Sequence, residues 1–522
     1  MGRGEDRISN LPNEILQFII CLMPLKYAIR TSVLSKRWRH LWQFNLVSST
    51  SLQFDEDFSC NQSPKQFVTT LDQYLHLHGD RSLDKFGILF SPFDIFFPNL
   101  EKWIATVLAK GVKELKIDLS QGILYTPGDF YIDEDDRMPF VIPNPLFNCN
   151  SLTHLSLSRC NFSDPLVSTN FVGLSSLSLD NVNLLTDAML TSILEYCVLL
   201  ESISLKRCDI PETVKFVGDK LKLQKLVIVD CDNVLEIEIS APKLESFLYH
   251  GWISVWHVFG NVSKVNDAYL CSKGSEEYHL IFAGILSDLS HVKILTICSM
   301  GLLHLAFHED NYVQDIFPLQ LHNLQELQLV LDSIGEDDIY CIFYFFLLCP
   351  SPCLEKLFIQ LPFPSKFLHL PRNSATAEEI ISEIEFPSLK CIKITNFGGS
   401  SQELKLVKFF LEKAIMLESI FILMNQCDDL NNSLSRRIIE GQLSVMPKAS
   451  KDARIVICGQ LDHDCLINPT HAKLYYDENY RNGTTMHEGK RRKNIPLTKS
   501  SCSSVLVKLR LFVKFVVLIF VK

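Results

Sequence analysis

The residues to consider first are those whose type and spacing could support catalysis or hold a metal ion. The sequence contains no GxSxG, GxxxxGK[ST], GxGxxG or HExxH pattern, the spacings that position a nucleophile, a phosphate loop, a dinucleotide turn or a zinc pair. His308 and Glu309 lack the second histidine of a zinc pair, and the HDC run at residues 463–465 has no partner set. We therefore expect no catalytic residue, no metal site, no cofactor and no enzyme activity.

Cysteine is the other residue type that could do chemistry. The 17 cysteines are scattered from Cys21 to Cys502, no CxxC pair occurs, and the closest two are Cys349 and Cys353. Zinc fingers need paired short spacings, so that two ligands share one turn. We interpret the cysteines as buried, reduced thiols that pack as small hydrophobic side chains, which predicts a reducing compartment. The IDEDD run at residues 132–136 could bind a cation, but a solvated acidic loop is the favoured interpretation.

Length and composition set the scale of the structure that must carry any function. The chain has 522 residues, of which 47% are hydrophobic and 21% charged, with a net charge of −10. That is ordinary globular composition, and a length prior of about 150 residues per domain suggests three or four domain-sized units. It excludes a mostly disordered chain and gives no global sign of a nucleic-acid partner.

The charge is unevenly distributed along the chain. Residues 1–50 carry seven basic and three acidic residues, residues 481–522 carry ten and one, and the body between them carries 33 and 56. The N-terminus lacks the apolar segment of a secretory signal, so we expect a location in the nucleus or cytoplasm. The two ends differ chemically from the acidic body.

The last part of the chain, residues 461–522, is expected to be a basic, apolar tail with little order. It contains a GKRRK cluster at residues 489–493, of the kind read by nuclear import. Residues 505–521 are apolar at 14 of 17 positions, but three charges interrupt them. A spanning helix needs about 20 apolar residues, and each central charge costs about 2.5–3.5 kcal/mol. We therefore expect no stable membrane insertion, with an interfacial segment as the alternative.

The first fifty residues predict a compact module of three short helices. Asn10 can cap the first helix, Pro12 suits its first turn, and Pro24 ends it. Apolar residues at helical spacing follow in three segments: Ile15, Leu16, Ile19, Ile20 and Met23; Ala28, Ile29, Val33 and Leu34; and Trp38, Leu41 and Trp42. So small a core is marginal, and such a module usually completes itself against a partner.

These residues resemble a plant F-box. The resemblance rests on LPNEIL at residues 11–16, PLK at 24–26 and TSVLSKRWRHLW at 31–42, and it continues through LQFD at 52–55, so that the expected domain is 6–55. In that family the module docks on a Skp-type adaptor, which links it to a cullin. Two departures, Cys21 and Tyr27, lie around the first turn between helices. The alternative interpretation is a helical cap on the next domain that binds no adaptor.

The resemblance implies which residues would contact the adaptor. The leading contacts would come from Leu11, Pro12 and Ile15. Later contacts would come from Leu34, Arg37 and Trp38, while Trp42 would mainly pack the module. All six predicted contacts lie in the strongest part of the match.

An apolar-x-x-apolar-x-apolar triplet recurs twelve times between residues 110 and 425. The middle residues are Leu115, Leu155, Leu177, Ile203, Leu226, Phe247, Ala268, Leu295, Leu327, Leu357, Ile392 and Ile420. Their spacing is 21–40 residues, and most steps are in or near the leucine-rich-repeat range of about 20–29 residues. Each triplet predicts a strand with alternate residues pointing inward, and stacked units share one core. The predicted fold class is α/β: a three-helix F-box followed by an irregular leucine-rich-repeat solenoid, or horseshoe, at 110–385. An unrelated α/β domain is the alternative.

The repeat predicts where a partner binds. Residues that alternate with the inward leucines should line an exposed, mixed polar concave sheet suited to a protein target. The predicted substrate-binding residues are His154, Ser156, Ser176, Ser178, Ser202, Ser204, Phe358 and Lys393.

Residues 386–457 resemble the FBD region that follows the repeats in many plant F-box proteins. FPSLKCIKITNF at residues 386–397 precedes an amphipathic helix at 403–417, a strand at 418–423 and a late strand at 453–457. Such a terminal unit is needed to cover the open end of a solenoid core.

Together these patterns predict a non-catalytic, substrate-recognition subunit of a Skp–cullin–F-box ubiquitin ligase. The module would bind the adaptor, and the repeats would bind a protein substrate whose identity the sequence does not encode. The alternatives are an interaction scaffold that does not support ubiquitin transfer, and a small-molecule receptor that uses a repeat pocket. Lys206 and Lys393 alone do not amount to the polar cluster that such a receptor needs.

Overall fold

The computed structural model describes residues 11–23, 25–55, 58, 62–90, 94–119, 139–162, 171–183, 185–252, 255–273, 279–306, 319–362, 382–424, 432–458 and 467–472. The runs at 132–136, 489–493 and 505–521, the His308–Glu309 pair and the HDC run lie outside the described residues. The chain forms two compact units, residues 1–174 with 484–522, and residues 175–483.

The first unit begins with a helical module made of α1 (Asn13–Cys21), α2 (Leu25–Arg30) and α3 (Trp42–Ser48). Pro12 stands at the N-cap of α1 instead of inside its first turn, and its carbonyl accepts the first helical hydrogen bond, from the N–H of Leu16 at 3.1 Å. The third predicted helix begins only at Trp42, because residues 35–41 form successive turns. Three helices therefore form, but the last is shorter than the apolar spacing predicts.

Four parallel strands and two helices follow in the first unit. The strands lie in the order β1 (Ser51–Phe54), β2 (Lys85–Leu89), β3 (Glu114–Asp118) and β5 (His154–Ser158). The helices are α4 (Pro64–His78) and α5 (Phe97–Ala109), and β4 (Phe140–Val141) pairs with β6 (Cys160–Asn161). Ser63 and Gln66 form a capping box at the start of α4. Strands β1 and β2 start the ladder well before residue 110, where the sequence predicts the first repeat.

The second unit contains eleven consecutive parallel strands. They are β7 (Ser176–Asp180), β8 (Ser202–Lys206), β10 (Lys225–Val229), β12 (Ser246–Trp252), β14 (Asp267–Lys273), β15 (Ile294–Cys298), β16 (Glu326–Val330), β17 (Lys356–Gln360), β18 (Cys391–Phe397), β19 (Ser419–Met424) and β20 (Arg454–Cys458). The middle and last residues of every predicted triplet from Leu177 onward lie in one of these strands. The two inward residues of each triplet are buried, so the leucine-rich-repeat interpretation of the pattern is confirmed.

Repeat length determines what connects successive strands of this sheet. The three shortest steps, 21–23 residues, hold a second strand each: β9 (Thr213–Val217), β11 (Glu236–Ser240) and β13 (Trp256–Phe259), which pair with one another. Longer steps hold helices: α6 (Asp187–Tyr196), α7 (His279–Asp288), α8 (Ser299–Ala306), α9 (Glu336–Leu348), α10 (Ser401–Lys413) and α11 (Asn432–Ser444). A helix rises only 1.5 Å per residue, so it needs more residues than a strand to return across the unit.

A left-handed turn ends several repeats. Asn181, Arg207 and Asp230 each lie two residues after the last inward residue of a triplet, with φ between 51° and 52°. Their N–H groups donate to carbonyls of the following strand, those of Lys206, Val229 and His250, at 2.7–2.8 Å. The backbone strain of a non-glycine residue in this region is therefore offset by a hydrogen bond that joins neighbouring repeats.

The described cysteines are thiols. None of the 13 described cysteines forms a disulfide, and ten of them are buried. Three of these, Cys160, Cys208 and Cys231, follow the last inward residue of their triplets by three positions, where the thiols of Cys208 and Cys231 donate to main-chain carbonyls. They therefore pack the turns of the repeats, as small hydrophobic residues with a weak donor.

Two further properties concern only the residues that the structure describes. Within them, no helix is both long and apolar enough to cross a membrane. The same residues contain no group of three or more His, Cys, Asp or Glu side chains arranged to hold a metal ion.

Candidate interaction surfaces

The core of the helical module determines which of its residues remain available to a partner. Trp38 is 3% exposed and packs with Leu16, Ile20, Met23, Ala28 and Leu41, while Leu11 and Trp42 pack at the edge of this cluster. The amide of the buried Asn45 donates to the carbonyls of Ile20 and Met23 at 2.6 and 2.8 Å, which ties α3 to the end of α1.

The structure places the six predicted adaptor contacts in three different environments. Pro12, Ile15 and Leu34 are exposed, and Leu11 is half-buried against the core. Trp38 lies in the core at 3% exposure, because so small a module needs its largest apolar side chain to fill its own interior. Its contact with the adaptor stays a prediction.

Arg37 is exposed but engages its own module. Its Nε donates to Oδ1 of Asn13 at 2.9 Å, and its Nη2 donates to the carbonyl of Leu11. These bonds hold the turn that precedes α1 against the segment that precedes α3. Arg37 is therefore a positioning residue for Leu11 and Pro12, whatever else it contacts.

The sequence reasoning missed three large apolar side chains on the surface of the module. Phe18, Leu22 and Val33 are exposed, and Val33 is 83% exposed. Phe18 and Leu22 follow Ile15 by three and seven residues, so they share its face of α1. Helical spacing could have revealed them, because the buried residues Leu16 and Ile20 occupy the other side of the helix. We call Ile15, Phe18, Leu22, Val33 and Leu34, each at least 45% exposed, the apolar face of the module; large exposed apolar side chains on so small a module are candidates for an interaction site.

The outward side of the sheet in the second unit carries a single continuous row of residues. Strand register aligns, one per strand from β7 to β20, Ser178, Ser204, Val227, Leu248, Tyr269, Thr296, Gln328, Phe358, Lys393, Phe421 and Val456. We call this the middle row. Its chemistry changes along the sheet from hydroxyl groups to apolar side chains and then to a mixture of polar and aromatic ones.

The predicted serine positions form the start of this surface. Ser176, Ser178, Ser202 and Ser204 pair across β7 and β8, and all four are half-buried. In the first unit His154 is exposed and Ser156 half-buried on β5, where Ser156 aligns with Lys116 of β3. Each side chain alternates with the buried leucines as the repeat pattern predicts.

The prediction that Phe358 and Lys393 are exposed is wrong. Each is 1% exposed, and register places them side by side on β17 and β18. The Lys393 ammonium donates to the carbonyl of Ile467 at 3.1 Å and to Oδ1 of Asn468 at 2.9 Å. Burial lowers the pKa of the Lys393 side chain. A remote part of the chain therefore covers this region of the outward face.

Residues 467–472, which we call the returning segment, lie across the outward face of β14–β18. The N–H of Thr470 donates to Oε1 of Glu326 at 2.7 Å. His471 contacts Thr296 Oγ1 at 2.8 Å through Nδ1 and Asp267 Oδ1 at 3.3 Å through Nε2. Its ring meets Tyr269 edge-on, with centroids 5.6 Å apart. No sequence signal links these residues, because up to 204 positions separate the partners.

Apolar residues on the neighbouring strands are buried as well. Val227, Val229, Leu248, Tyr269, Cys271 and Cys298 form one cluster on β10, β12, β14 and β15, with Met300 and Val330 at its edge. The outward face is therefore polar and half-open at β7 and β8, and its middle row is buried from β10 to β18. The expectation of a uniformly mixed polar, exposed surface holds only for its first part.

A charged network lies at the ends of β10, β12 and β14. Oδ1 of Asp230 is 2.9 Å from Nδ1 of His250 and 3.2 Å from the Lys273 ammonium, which also pairs with Asp232 at 2.8 Å. Burial would raise the pKa of the Asp230 carboxyl, but the hydrogen bond from His250 and the charge of Lys273 outweigh burial and lower this pKa. Trp252, partly exposed, donates to Asp232 and lies 5.3 Å from the Lys273 ammonium.

A small helical module with an apolar face, followed by parallel repeat strands with an outward binding face, defines the F-box/leucine-rich-repeat class of proteins. The F-box domain model matches residues 8–46, and the At1g61320/AtMIF1 LRR-domain model matches residues 83–457. The chain belongs to the At1g61320/AtMIF1 LRR-domain family and carries an F-box; it is a plant F-box/leucine-rich-repeat protein.

Two Arabidopsis relatives agree with this assignment. The putative F-box/LRR-repeat protein At5g54820 of Arabidopsis thaliana is 26% identical over 447 residues, covering 78% of this chain and 88% of the relative. The putative FBD-associated F-box protein At1g61330 of the same plant is 25% identical, covering 80% and 91%. A solved LRR protein, LIC12759 of Leptospira interrogans, aligns with 79% of this chain and 97% of its own at 12% identity and a TM-score of 0.27. F-box proteins of this class are generally non-catalytic substrate adaptors, and an F-box in general binds a Skp-type adaptor.

Proposed function

We propose that this protein is the substrate-recognition subunit of a Skp–cullin–F-box ubiquitin ligase. The observation that carries the proposal is the apolar face of the module, which stays exposed although the module has a complete core of its own. Exposed apolar side chains on a small helical module suit a helix-in-groove partner, and the F-box match gives that partner as a Skp-type adaptor. The cullin would then be recruited through the adaptor.

The chain itself would perform no chemistry in this role. It would hold a target protein near a ubiquitin-charged enzyme, and the resulting rise in local concentration of a target lysine would accelerate transfer. The outward face of the repeats would bind the target, starting from the half-open serine positions of β7 and β8. The ten buried thiols support action in a reducing compartment, and we propose the nucleus or cytoplasm.

The docking half of this proposal is tested by disabling the apolar face without touching the core. Ile15→Asp combined with Leu34→Asp places two charges on exposed positions of the module. We expect recovery of a co-expressed Skp-type adaptor to fall at least tenfold, because each charge would have to be desolvated in an apolar interface. The matched control is Ile415→Asp with Val445→Asp, which alters two apolar residues of the second unit that are more exposed than Ile15 and Leu34.

Equal adaptor recovery from both double variants would refute docking through this face. Cullin is then sought in the wild-type complex. A complex that contains adaptor but no cullin would contradict the ligase role and identify the chain as an interaction scaffold.

A further inference from the structure

The returning segment crosses the repeat sheet in a regular order. Its residues 467 and 468 contact β18, Thr470 contacts β16, and His471 contacts β15 and β14. Four strand spacings of about 4.8 Å span roughly 19 Å, and groups of residues 467–471 make contacts over this distance. Residues 469–472 form a turn, closed by a hydrogen bond from the N–H of Ala472 to the carbonyl of Pro469 at 3.0 Å. The segment therefore lies across the strands as a bound peptide would, with one contact group for nearly every strand.

The groups that hold the segment are those that recognise a peptide. The Lys393 ammonium donates hydrogen bonds to a main-chain carbonyl and to an amide side chain, and the Glu326 carboxylate accepts one from a main-chain N–H. Both charged side chains are more than nine-tenths buried. Burying a lysine and a glutamate costs free energy unless each is well hydrogen-bonded. A segment that covers this face must therefore supply polar groups to Lys393 and Glu326.

The resident segment does not use all the hydrogen-bonding capacity of the face. The side-chain carbonyl oxygens of Gln328 and Gln360 are buried, and within the described part of the chain neither has a hydrogen-bond donor. Both glutamines point outward: Gln328 from β16, whose Glu326 binds Thr470, and Gln360 from β17, which lies between β16 and β18, the strand that carries Lys393. Buried polar atoms are nearly always paired, so a ligand with N–H groups at these two positions would fit the face better than the resident segment does.

We propose that the outward face of β14–β18 is the peptide-recognition site for the target, and that the returning segment is its resident ligand, which a target peptide displaces. The inference rests on the proposed function, because the displacing peptide belongs to the ubiquitylation target. The fitting peptide follows the path of residues 467–472, including the turn at residues 469–472. It presents an amide side chain and a carbonyl to Lys393, and N–H groups to Glu326, Gln328 and Gln360.

Displacement has a measurable consequence for affinity. The segment begins nine positions after the end of β20 in the sequence, so it competes at a high effective concentration. An external peptide can bind only those molecules in which the returning segment has left the outward face. Its apparent Kd is therefore higher than its Kd for an uncovered face. Weakening the resident contacts should therefore tighten the binding of an external peptide.

The test uses the full chain and a fluorescein-labelled peptide with the sequence of residues 463–474, in which Cys465→Ser prevents oxidation. Fluorescence anisotropy measures its Kd for the wild-type chain and for an opened chain that carries Asn468→Ala and His471→Ala. We expect the opened chain to bind the peptide at least tenfold more tightly. A peptide that carries the same two alanines is the negative control, and it should bind neither chain.

A second pair of variants assigns the binding to the proposed face. In the opened chain, Lys393→Met keeps the length of the side chain but removes its donors, and it should weaken peptide binding at least tenfold. Lys390→Met is the matched control, because Lys390 lies three residues earlier and pairs with Glu355 at the surface; it should leave the Kd unchanged. Equal Kd values for wild-type and opened chains, or no effect of Lys393→Met, would overturn the proposal.

A measurement on the unaltered chain removes dependence on variants that fold poorly. Excess heavy-isotope peptide should accelerate hydrogen exchange of the chain's own amides in residues 467–472, and unchanged exchange at saturating peptide would overturn the proposal. Recovery of the Skp-type adaptor from the same preparations separates the two hypotheses. Displacement without adaptor binding would refute the proposed function alone, and adaptor binding without displacement would refute this inference alone.

Discussion

The burial of Trp38 leads to a prediction that separates folding of the module from docking. Trp38→Ala removes an indole that is 3% exposed and belongs to a core cluster with five other residues. Truncation of a buried tryptophan to alanine costs about 3–5 kcal/mol. The module spans residues 11–48, which is 38 residues. At about 0.05–0.15 kcal/mol per residue, it contributes only about 2–6 kcal/mol to the free energy of unfolding. The cost is therefore comparable with the whole stability of the module, and we expect the module to unfold locally.

Hydrogen exchange measured peptide by peptide tests this prediction on the full chain. In Trp38→Ala, the amides of α1 and α3 should lose most of their protection, while those of β7–β20 should keep theirs. Adaptor recovery should fall together with the protection. Ile15→Ala, which shortens an exposed side chain, should leave α1 protected and still weaken adaptor binding, by about tenfold if Ile15 contributes a typical interface contact of about 1–2 kcal/mol.

The reasoning fails if Trp38→Ala abolishes adaptor binding while α1 remains fully protected. That result would mean that Trp38 contacts the adaptor directly, as the resemblance to the plant F-box implies. Trp38→Phe gives an intermediate check, since the smaller ring fills part of the cavity and should restore part of both the protection and the binding.

Two further predictions concern the second unit. Burial lowers the pKa of His257 to about 4 in the folded chain, whereas a histidine in the unfolded chain has a pKa of about 6.5. Between these two pH values the unfolded chain binds more protons than the folded chain. The free energy of unfolding therefore falls as the pH drops from 6.5 towards 4, by about 3 kcal/mol in all. His257→Phe should remove this dependence, and urea unfolding should show the variant gaining about 2 kcal/mol relative to wild type between pH 7 and pH 5; a constant difference would contradict the assignment. Ser400→Ala removes the acceptor for the Glu403 N–H at the start of α10 and should lower the stability of the second unit by about 1 kcal/mol, whereas Ser401→Ala, one residue inside the helix, should change it by less than about 0.5 kcal/mol.

The fold could be predicted from the sequence because each repeat carries its own signal. The triplet around Leu177 alternates buried and half-buried residues within five positions, so local spacing alone reveals the strand. Strands β1 and β2 carry the same signal around Leu52 and Phe86, and were missed only because their neighbouring elements had not been recognised as repeats. The helices and second strands that connect the repeat strands were not predicted, because they depend on the number of residues in each repeat and not on the triplet pattern.

The surfaces could be predicted less well, for two physical reasons. The resemblance to the plant F-box implies an adaptor contact for Trp38, but it does not report that the packing requirement of a small core buries this side chain. Strand alternation predicts that Lys393 is exposed, because it shows only which side of the sheet the residue faces. It does not show that another segment of the chain covers that side. The contact that buries it comes from Ile467, 74 positions away, and no local pattern reports such a contact.

The constant register of the middle row has a consequence for how this family can change its targets. Steps between neighbouring strands range from 21 to 35 residues from β7 to β19, yet each strand delivers one residue to the row at the same height. Insertions are absorbed between strands, so they do not shift the row. A substitution at Gln328 or Phe358 thus alters one position of the outward face and leaves the alignment of its neighbours unchanged. Substitutions can therefore change the outward face one strand at a time, while the buried leucines keep the strands in register.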